Sequence, residues 1–307
     1  MKKIVTIFIG AFLALGASVY ASSTTEQNLR VFSVDNSKGS INAKSIEKAF
    51  NASGVMVDVN NNMNSIFEKR YGFVHHKAYN LAIFTNNALV TKLMKDHPTI
   101  GLITPLSMSI YENAKNNTIN VSTLSLAGMA RITKIPATNP DLIAYAASVD
   151  AALHKALPNG KYLNVKHNAK AVASVTSFEA EFEVEDDMTI SDVKDSFKEE
   201  FEGELGPVGF LVPKSYSIEH ADYDFFDTYS IIRFNAIFPV SKDHPDAGAY
   251  APFSLVIYKK KDEETAHIAF PSITNWITDL DITDEKVAQA VRETHEKIET
   301  ILTELTE

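Results

Sequence analysis

The sequence predicts an α+β protein of two consecutive units, each an antiparallel sheet with helices on one face. Two observations predict it. The first is an internal repeat: "KDHPTIGLITPLSMSIY" (95–111) and "KDHPDAGAYAPFSLVIY" (242–258) share nine of seventeen positions without a gap. Self-similarity at so long a period points to a duplicated structural unit. The second is the pattern of connections. Strand-like runs follow one another through short polar turns, which suits antiparallel pairing; a parallel sheet needs a long crossover between successive strands.

The elements follow in chain order. The chain opens "MKKIVTIFIGAFLALGASVYASS": two lysines, an apolar run from Ile4 to about Ala17, then small residues at Val19 and Ala21. That is the form of a secretory signal peptide cut after Ala21. The apolar run is shorter than the ~20 residues a bilayer span needs. Residues 1–21 are therefore read as a leader, 22–158 as the first unit and 159–307 as the second.

In the first unit "RVFSV" reads as a strand. "SINAKSIEKAFNASG" reads as an amphipathic helix, with Ile46 and Phe50 four apart, Asn42 as its cap and Gly54 as its stop. "YNLAIF" (79–84) begins a further strand, and "LSMSIYENAKNNTINVSTLS" is strand, polar turn, strand. "NPDLIAYAASVDAALHKAL" closes the unit as a helix, with Pro140 and Asp141 in its first turn. Its apolar stripe is Leu142, Tyr145, Ala146, Val149, Ala152 and Leu153. Pro158 and Gly160 then break the helix and open the linker.

The second unit repeats the order. "FEAEFEV" alternates, with Phe178, Ala180, Phe182 and Val184 on one face. "TISDVKDSFKEEF" reads as the helix, capped by Ser191. "YSIIRF" (229–234) answers "YNLAIF", at a spacing from the repeat block that differs by three residues. "FSLVIYKKKDEETAHIAFPS" is strand, charged turn, strand, and a last helix starts at a Thr283 cap, with Val287, Val291, Ile298, Ile301 and Leu305 on one face. Each unit thus reads β-α-β-β-β-β-α.

Within the repeat, Pro98, Gly101 and Pro105 lead into "LSMSIY", and Pro245, Gly248 and Pro252 recur at the same spacing. "FTNN" (84–87) and "FNAI" (234–237) stand where a turn precedes this motif. This Pro-x-x-Gly-x-x-x-Pro pattern resembles the DUF302 family, a domain of unknown function, over about residues 30–125, with the second half as a more divergent copy. The resemblance implies a TBP-like β-α-β4-α unit, here twice in tandem, and brings no agreed activity. The Ile-Asp-His-Ala stretch common in that family is met here by "VDVNNNMNSIF", which has Asp58 but no histidine, and by "IEHADYDF" around His220.

The chain contains no cysteine, which rules out a lipidated cysteine, disulfides, thiolate metal sites and a thiol nucleophile. The formal charge is −10, and −12 once Lys2 and Lys3 leave with the leader. No basic stripe offsets it, so neither nucleic acid nor an anionic lipid surface is an expected partner. No second apolar run is long enough to span a membrane, and the expected address is the periplasm. No GxSxG, Walker A or GxGxxG motif occurs, and no cofactor is called for.

The candidate binding residues are those written twice: Asp96 with His97, Asp243 with His244, and the strand tyrosines Tyr111 and Tyr258. His with a carboxylate suits acid–base work or a divalent metal, and tyrosines can line a pocket and offer hydroxyls. The plainer account of the Asp-His-Pro loops is a turn, in which Asp bonds nearby backbone and His before Pro is extended. No His spacing typical of a metal site is present; of the adjacent His75 and His76, at most one can join a histidine cluster with His97. The carboxylates between Glu183 and Glu204 lack the ligand pattern of a calcium loop and read as a solvated face. The expectation is an exported, non-catalytic ligand-binding or accessory protein of the periplasm. The alternatives are an enzyme or metal-binding protein using both Asp-His-Pro loops, and a structural or interaction protein of the envelope. A small molecule or an envelope protein would be the partner.

Overall fold

The computed structural model describes residues 27–113, 115–167, 173–182, 184 and 188–307. The expected leader, 1–21, lies outside them. The first half runs β1 (Leu29–Asp35), α1 (Ala43–Asn51), β2 (Met56–Asn62), α2 (Met63–Tyr71), β3 (Ala78–Thr85), α3 (Asn87–Met94), a 3-10 turn (Pro98–Ile103), β4 (Leu106–Asn113), β5 (Thr118–Leu124), α4 (Leu126–Thr133), α5 (Pro140–Ala156) and β6 (Lys161–Tyr162). The second runs β7 (Val175–Glu181), α6 (Ile190–Leu205), β8 (Leu211–Ser217), β9 (Tyr223–Ile232), α7 (Phe234–Asp243), a 3-10 turn (Pro245–Ala249), β10 (Phe253–Lys260), β11 (Thr265–Pro271), α8 (Asn275–Asp279) and α9 (Glu285–Thr306). The fold is α+β, with two antiparallel sheets.

Strand order is β2-β3-β4-β5-β1-β6 in one sheet and β7-β11-β10-β9-β8 in the other. Read from the β2 and β8 edges, the two are the same arrangement, with β6 added to the first. Each sheet packs one face on its own helices. Phe50 of α1 meets Phe84 of β3 at 5.4 Å, and Phe201 of α6 meets Tyr229 of β9 at 5.5 Å. The α5 stripe expected from sequence is buried throughout, as are Val291, Ile298 and Ile301 of α9.

Three local expectations are corrected. The cap of α6 is Thr189, not Ser191: its side chain accepts the Asp192 N–H, and the Asp192 carboxylate accepts from the Thr189 backbone. The cap of α9 is Asp284, not Thr283, because its carboxylate takes the N–H groups of Lys286 and Val287. Val184 is exposed and lies beyond the end of β7, whereas Ala180 and Phe182 are buried.

The match of "YNLAIF" to "YSIIRF" also fails. Tyr79 pairs with Tyr111, while Phe226 pairs with Tyr258, so Tyr79 corresponds to Phe226. The same constant shift of 147 residues relates the cap of α3, Asn86, to that of α7, Arg233. No loop is inserted between the blocks. Tyr229 faces its own helices, but Tyr79 faces the other half of the molecule.

The second face of each sheet is covered by the opposite half. The Pro245–Ala249 turn lies on β4, and the Pro98–Ile103 turn lies on β10. A Cβ on Gly248 would sit 2.4 Å from Ser109 Cβ, and one on Gly101 would sit 2.4 Å from Val256 Cγ2. Ser254 Oγ donates to Pro105 O at 2.6 Å, and its counterpart Ser107 donates to Pro252 O. Tyr223 OH donates to Met94 O at 2.6 Å, and the equivalent residue His76 places Nε2 2.6 Å from Ser241 O. Residue i touches j and the equivalent of j touches the equivalent of i, the signature of an isologous two-fold contact, here within one chain.

Candidate functional site

The Lys-Asp-His-Pro loops end α3 and α7, and their histidines share one backbone conformation: His97 has φ −138° and ψ 79°, His244 φ −125° and ψ 69°. Pro98 and Pro245 open the 3-10 turns, and Gly101 and Gly248 permit the close approach to the opposite sheet. Asp96 and Asp243 are exposed. His97 Nε2 lies 3.3 Å from Nδ2 of Asn139, the cap of α5. His244 has a different setting, among the charges of Asp246, His167, Asp243 and Asp281; burial lowers its pKa, and the three carboxylates oppose that. The Asp-His pairs therefore keep separate neighbours.

Around Asp246 the structure gathers a cluster. Asp246 stands in the turn that the second half lays on the first sheet, and it is 7% exposed. Its Oδ2 is 2.7 Å from His167 Nε2. Ser122 Oγ donates to the Asp246 carbonyl at 2.9 Å and Ser109 Oγ to the Pro245 carbonyl at 2.7 Å, which pins the turn to β4 and β5. Tyr111, one of the six sequence candidates, lies alongside. Burial drives its pKa well up, and the Asp246 carboxylate and Tyr79 add to the effect. His76 sits 5.3 Å from Tyr79 and 6.3 Å from Tyr111, ring to ring. Burial lowers the His76 pKa, with the bond to Ser241 O and the Asp243 charge opposing it, and Nε2 donates to that carbonyl. His75 turns away and stacks on Phe238 at 4.5 Å, so only one of the adjacent histidines joins the cluster.

Sequence reasoning missed Asp246 and His167. Asp246 follows the repeat's fourth residue in the second copy alone, and His167 lies in what reads as a linker. The linker is seated: Lys161–Tyr162 pairs with β1, Leu163 N donates to Val31 O at 2.9 Å, and His167 closes on Asp246. In this arrangement the His–Asp pair holds an extended segment across the first sheet. Among the described residues no group of three His, Cys, Asp or Glu is placed to hold a metal ion.

The Tyr79 hydroxyl is buried in this cluster with no hydrogen-bond partner. A buried unpaired hydroxyl costs stability rather than adding to it. Tyr79→Phe is therefore expected to leave the unfolding free energy unchanged or to raise it by up to about 1 kcal/mol, read by urea unfolding. A loss of that size would mean that the hydroxyl has a partner.

Tyr258 occupies the equivalent place on the second sheet, with other neighbours. It stacks on His267 at 5.0 Å and on Phe226 at 5.8 Å. Burial and the charges of Glu263 and Glu179 push its pKa up to about 12. A groove of about 550 Å³ runs beside it.

A cleft of about 890 Å³ opens between the halves. Its walls are apolar: Met63 and Ile66 of α2, Leu81 of β3, Val212 of β8, Ile232 of β9 and Phe234 of α7. Lys69 and Arg70 stand in its lining, both exposed. None of the six sequence candidates lines it. The helix that builds one wall, α2, has no counterpart in the second half, where β8 leads to β9 through residues 218–222. Tyr216 OH donates to Asp58 Oδ2 at 2.8 Å and ties β8 to β2.

No helix among the described residues is long and apolar enough to cross a membrane. No curated protein matches the chain. Among solved structures it is similar to the uncharacterized conserved DUF302 protein from Bacillus stearothermophilus, at 13% identity and a TM-score of 0.33, over 43% of this chain and 98% of that one. Residues 41–159 match the model of the family described as domain of unknown function DUF302. This span runs from the residue before the α1 cap to just past the end of α5 and includes the first Lys-Asp-His-Pro loop.

Proposed function

We propose that this is an exported, non-catalytic periplasmic ligand-binding protein built from two copies of a DUF302-like unit, the second divergent. Its ligand is an amphipathic molecule with an anionic head. The observation that carries this reading is the cleft between the halves. Its volume of about 890 Å³ suits a small-molecule site, and its walls are mostly aliphatic and aromatic side chains. Lys69 and Arg70 are its only charged lining residues, and neither is in an ion pair among the described residues. An apolar chain would fill the cleft and an anionic head would meet the two cations. The signal-like N-terminus and the absence of cysteine support the address. A catalytic reading through the Asp-His-Pro loops has less support, because Asp96 and Asp243 are exposed and their histidines have separate neighbours.

The test is native mass spectrometry of protein isolated from its own host, followed by titration of the emptied protein with dodecanoate. A retained small molecule and saturable dodecanoate binding are expected. Ile66→Trp, which fills the cleft, should abolish binding. Arg70→Glu should weaken it about tenfold, a change of about 1.4 kcal/mol. A bare protein mass with no dodecanoate binding by the folded protein would overturn the proposal.

A further inference from the structure

The two-fold relation between the halves exposes a difference at one pair of places. On the first sheet, residues 161–167 leave α5, pair with the outer edge of β1 and cross to the opposite half's turn. The path is marked by Val31, which accepts from Leu163, and by Asp246, which receives His167. Register fixes their counterparts on the second sheet. Val31 pairs with Ser122 and Ser177 with Ala269, so Ser177 answers Val31; the 147-residue shift makes Thr99 the answer to Asp246. Ser177 and Thr99 both line the 550 Å³ groove, together with Tyr258, His267 and Glu179. The groove is thus the counterpart of the bed on which 163–167 lies. Among the described residues no strand pairs with the outer edge of β7, whereas the outer edge of β1 is paired with β6.

We propose that this groove takes an extended, basic polypeptide segment of a partner, added along the outer edge of β7 and laid toward Thr99. The molecule supplies the precedent for the geometry. An unpaired edge strand offers a row of backbone donors and acceptors that an incoming strand can satisfy. The charge of the bed sets the chemistry. Glu179, whose side chain is 71% exposed, replaces Ser33 of the first sheet, and Glu181 ends the edge strand. The segment seated on the first sheet is itself basic, with Lys161, Lys166 and His167. By the register of 161–167, in which Lys161 stands opposite Ser33, the partner residue opposite Glu179 would be cationic, and the residue two further along, on the same face of the segment as Leu163 is, would be apolar and lie toward Ser177 and Ala269. This site is separate from the cleft between the halves and does not depend on it.

The probe is a capped peptide with the sequence of residues 160–167, added to the isotopically labelled full chain and followed by amide NMR shifts. Binding with a dissociation constant of about 0.1–1 mM is expected, with shifts at 175–181, Thr99, Tyr258 and His267. Glu179→Lys, an exposed change that leaves the fold intact, should weaken it about fivefold. A peptide with its two lysines and its histidine replaced by glutamate should not bind. Shifts confined to the first sheet would mean that the peptide only competes with the linker, and would overturn the proposal. So would shifts confined to the cleft, equal binding of the acidic peptide, or no shifts at millimolar concentration.

Discussion

Gly248→Ala is expected to cost about 3 kcal/mol of stability, at the upper end of overpacking effects. The added Cβ would lie 2.4 Å from Ser109 Cβ and 2.8 Å from the Ser109 backbone nitrogen, inside a hydrogen-bonded strand that has no room to withdraw. Gly101→Ala meets mainly the Val256 side chain, with Phe226 at 3.1 Å, and should cost less. Gly203→Ala, in the last turn of α6 with nothing within 4 Å, is the control. It should raise stability by about 0.5–1 kcal/mol through helix propensity and a less flexible unfolded chain. Urea unfolding followed by far-UV circular dichroism gives the three values. Because Gly248 belongs to one half and Ser109 to the other, the loss should appear as a shift of one cooperative transition. A second half that melts alone at lower urea would contradict the shared packing.

Phe67→Ala is expected to cost about 3–5 kcal/mol, the usual range for removing a buried phenylalanine ring. Phe67 is 1% exposed and is the point where α2 fastens to both halves. Its ring lies 4.9 Å from Phe238 and 6.3 Å from Phe234 on α7, and 6.2 Å from Tyr79 on β3. Removing it frees the helix that carries Ile66, Lys69 and Arg70, so dodecanoate binding should fall along with stability. Leu211→Ala, 48% exposed at the start of β8, also lines the cleft and should reduce binding with little loss of stability. If Phe67→Ala unfolds at the wild-type urea concentration, α2 is not the wall described.

Much of the fold was legible because its signals are local. The alternation in "FEAEFEV", the stripe of α5 and the strand–turn–strand runs each announce an element without knowledge of its neighbours. The caps were misplaced by one or two residues because Thr189, Ser191, Thr283 and Asp284 all carry competent side chains, and only the helix start chooses between them. The strand alignment went wrong for a stronger reason. Identity favoured setting Tyr79 against Tyr229, but a strand's faces alternate, and the shift puts one tyrosine toward its helices and the other toward the opposite sheet. Only the hydrogen-bond register decides that. Of the six candidate residues, Tyr111 and His244 lie about Asp246, while Tyr258 lies in its own groove. The glycines and prolines of the repeat have a geometric explanation in the turns that cross between halves. The persistence of Lys95 and Lys242 has none in the structure. Asp246 and His167 could not be read because the pair forms between a turn and a linker about eighty residues apart.

The two-fold contact lies within a single covalent chain, and that changes how it answers to dilution. Two separate subunits meeting through the same Ser107 and Ser254 bonds would dissociate as their concentration fell. Here the connection from α5 to β7 holds the partners at an effective concentration in the millimolar range. Assembly is therefore first-order and stays complete however dilute the protein becomes. It also lets each surface change alone. A substitution in a symmetric homodimer is felt twice, at both equivalent places; here Asp246 could arise without altering Thr99, and α2 could be present on one side only.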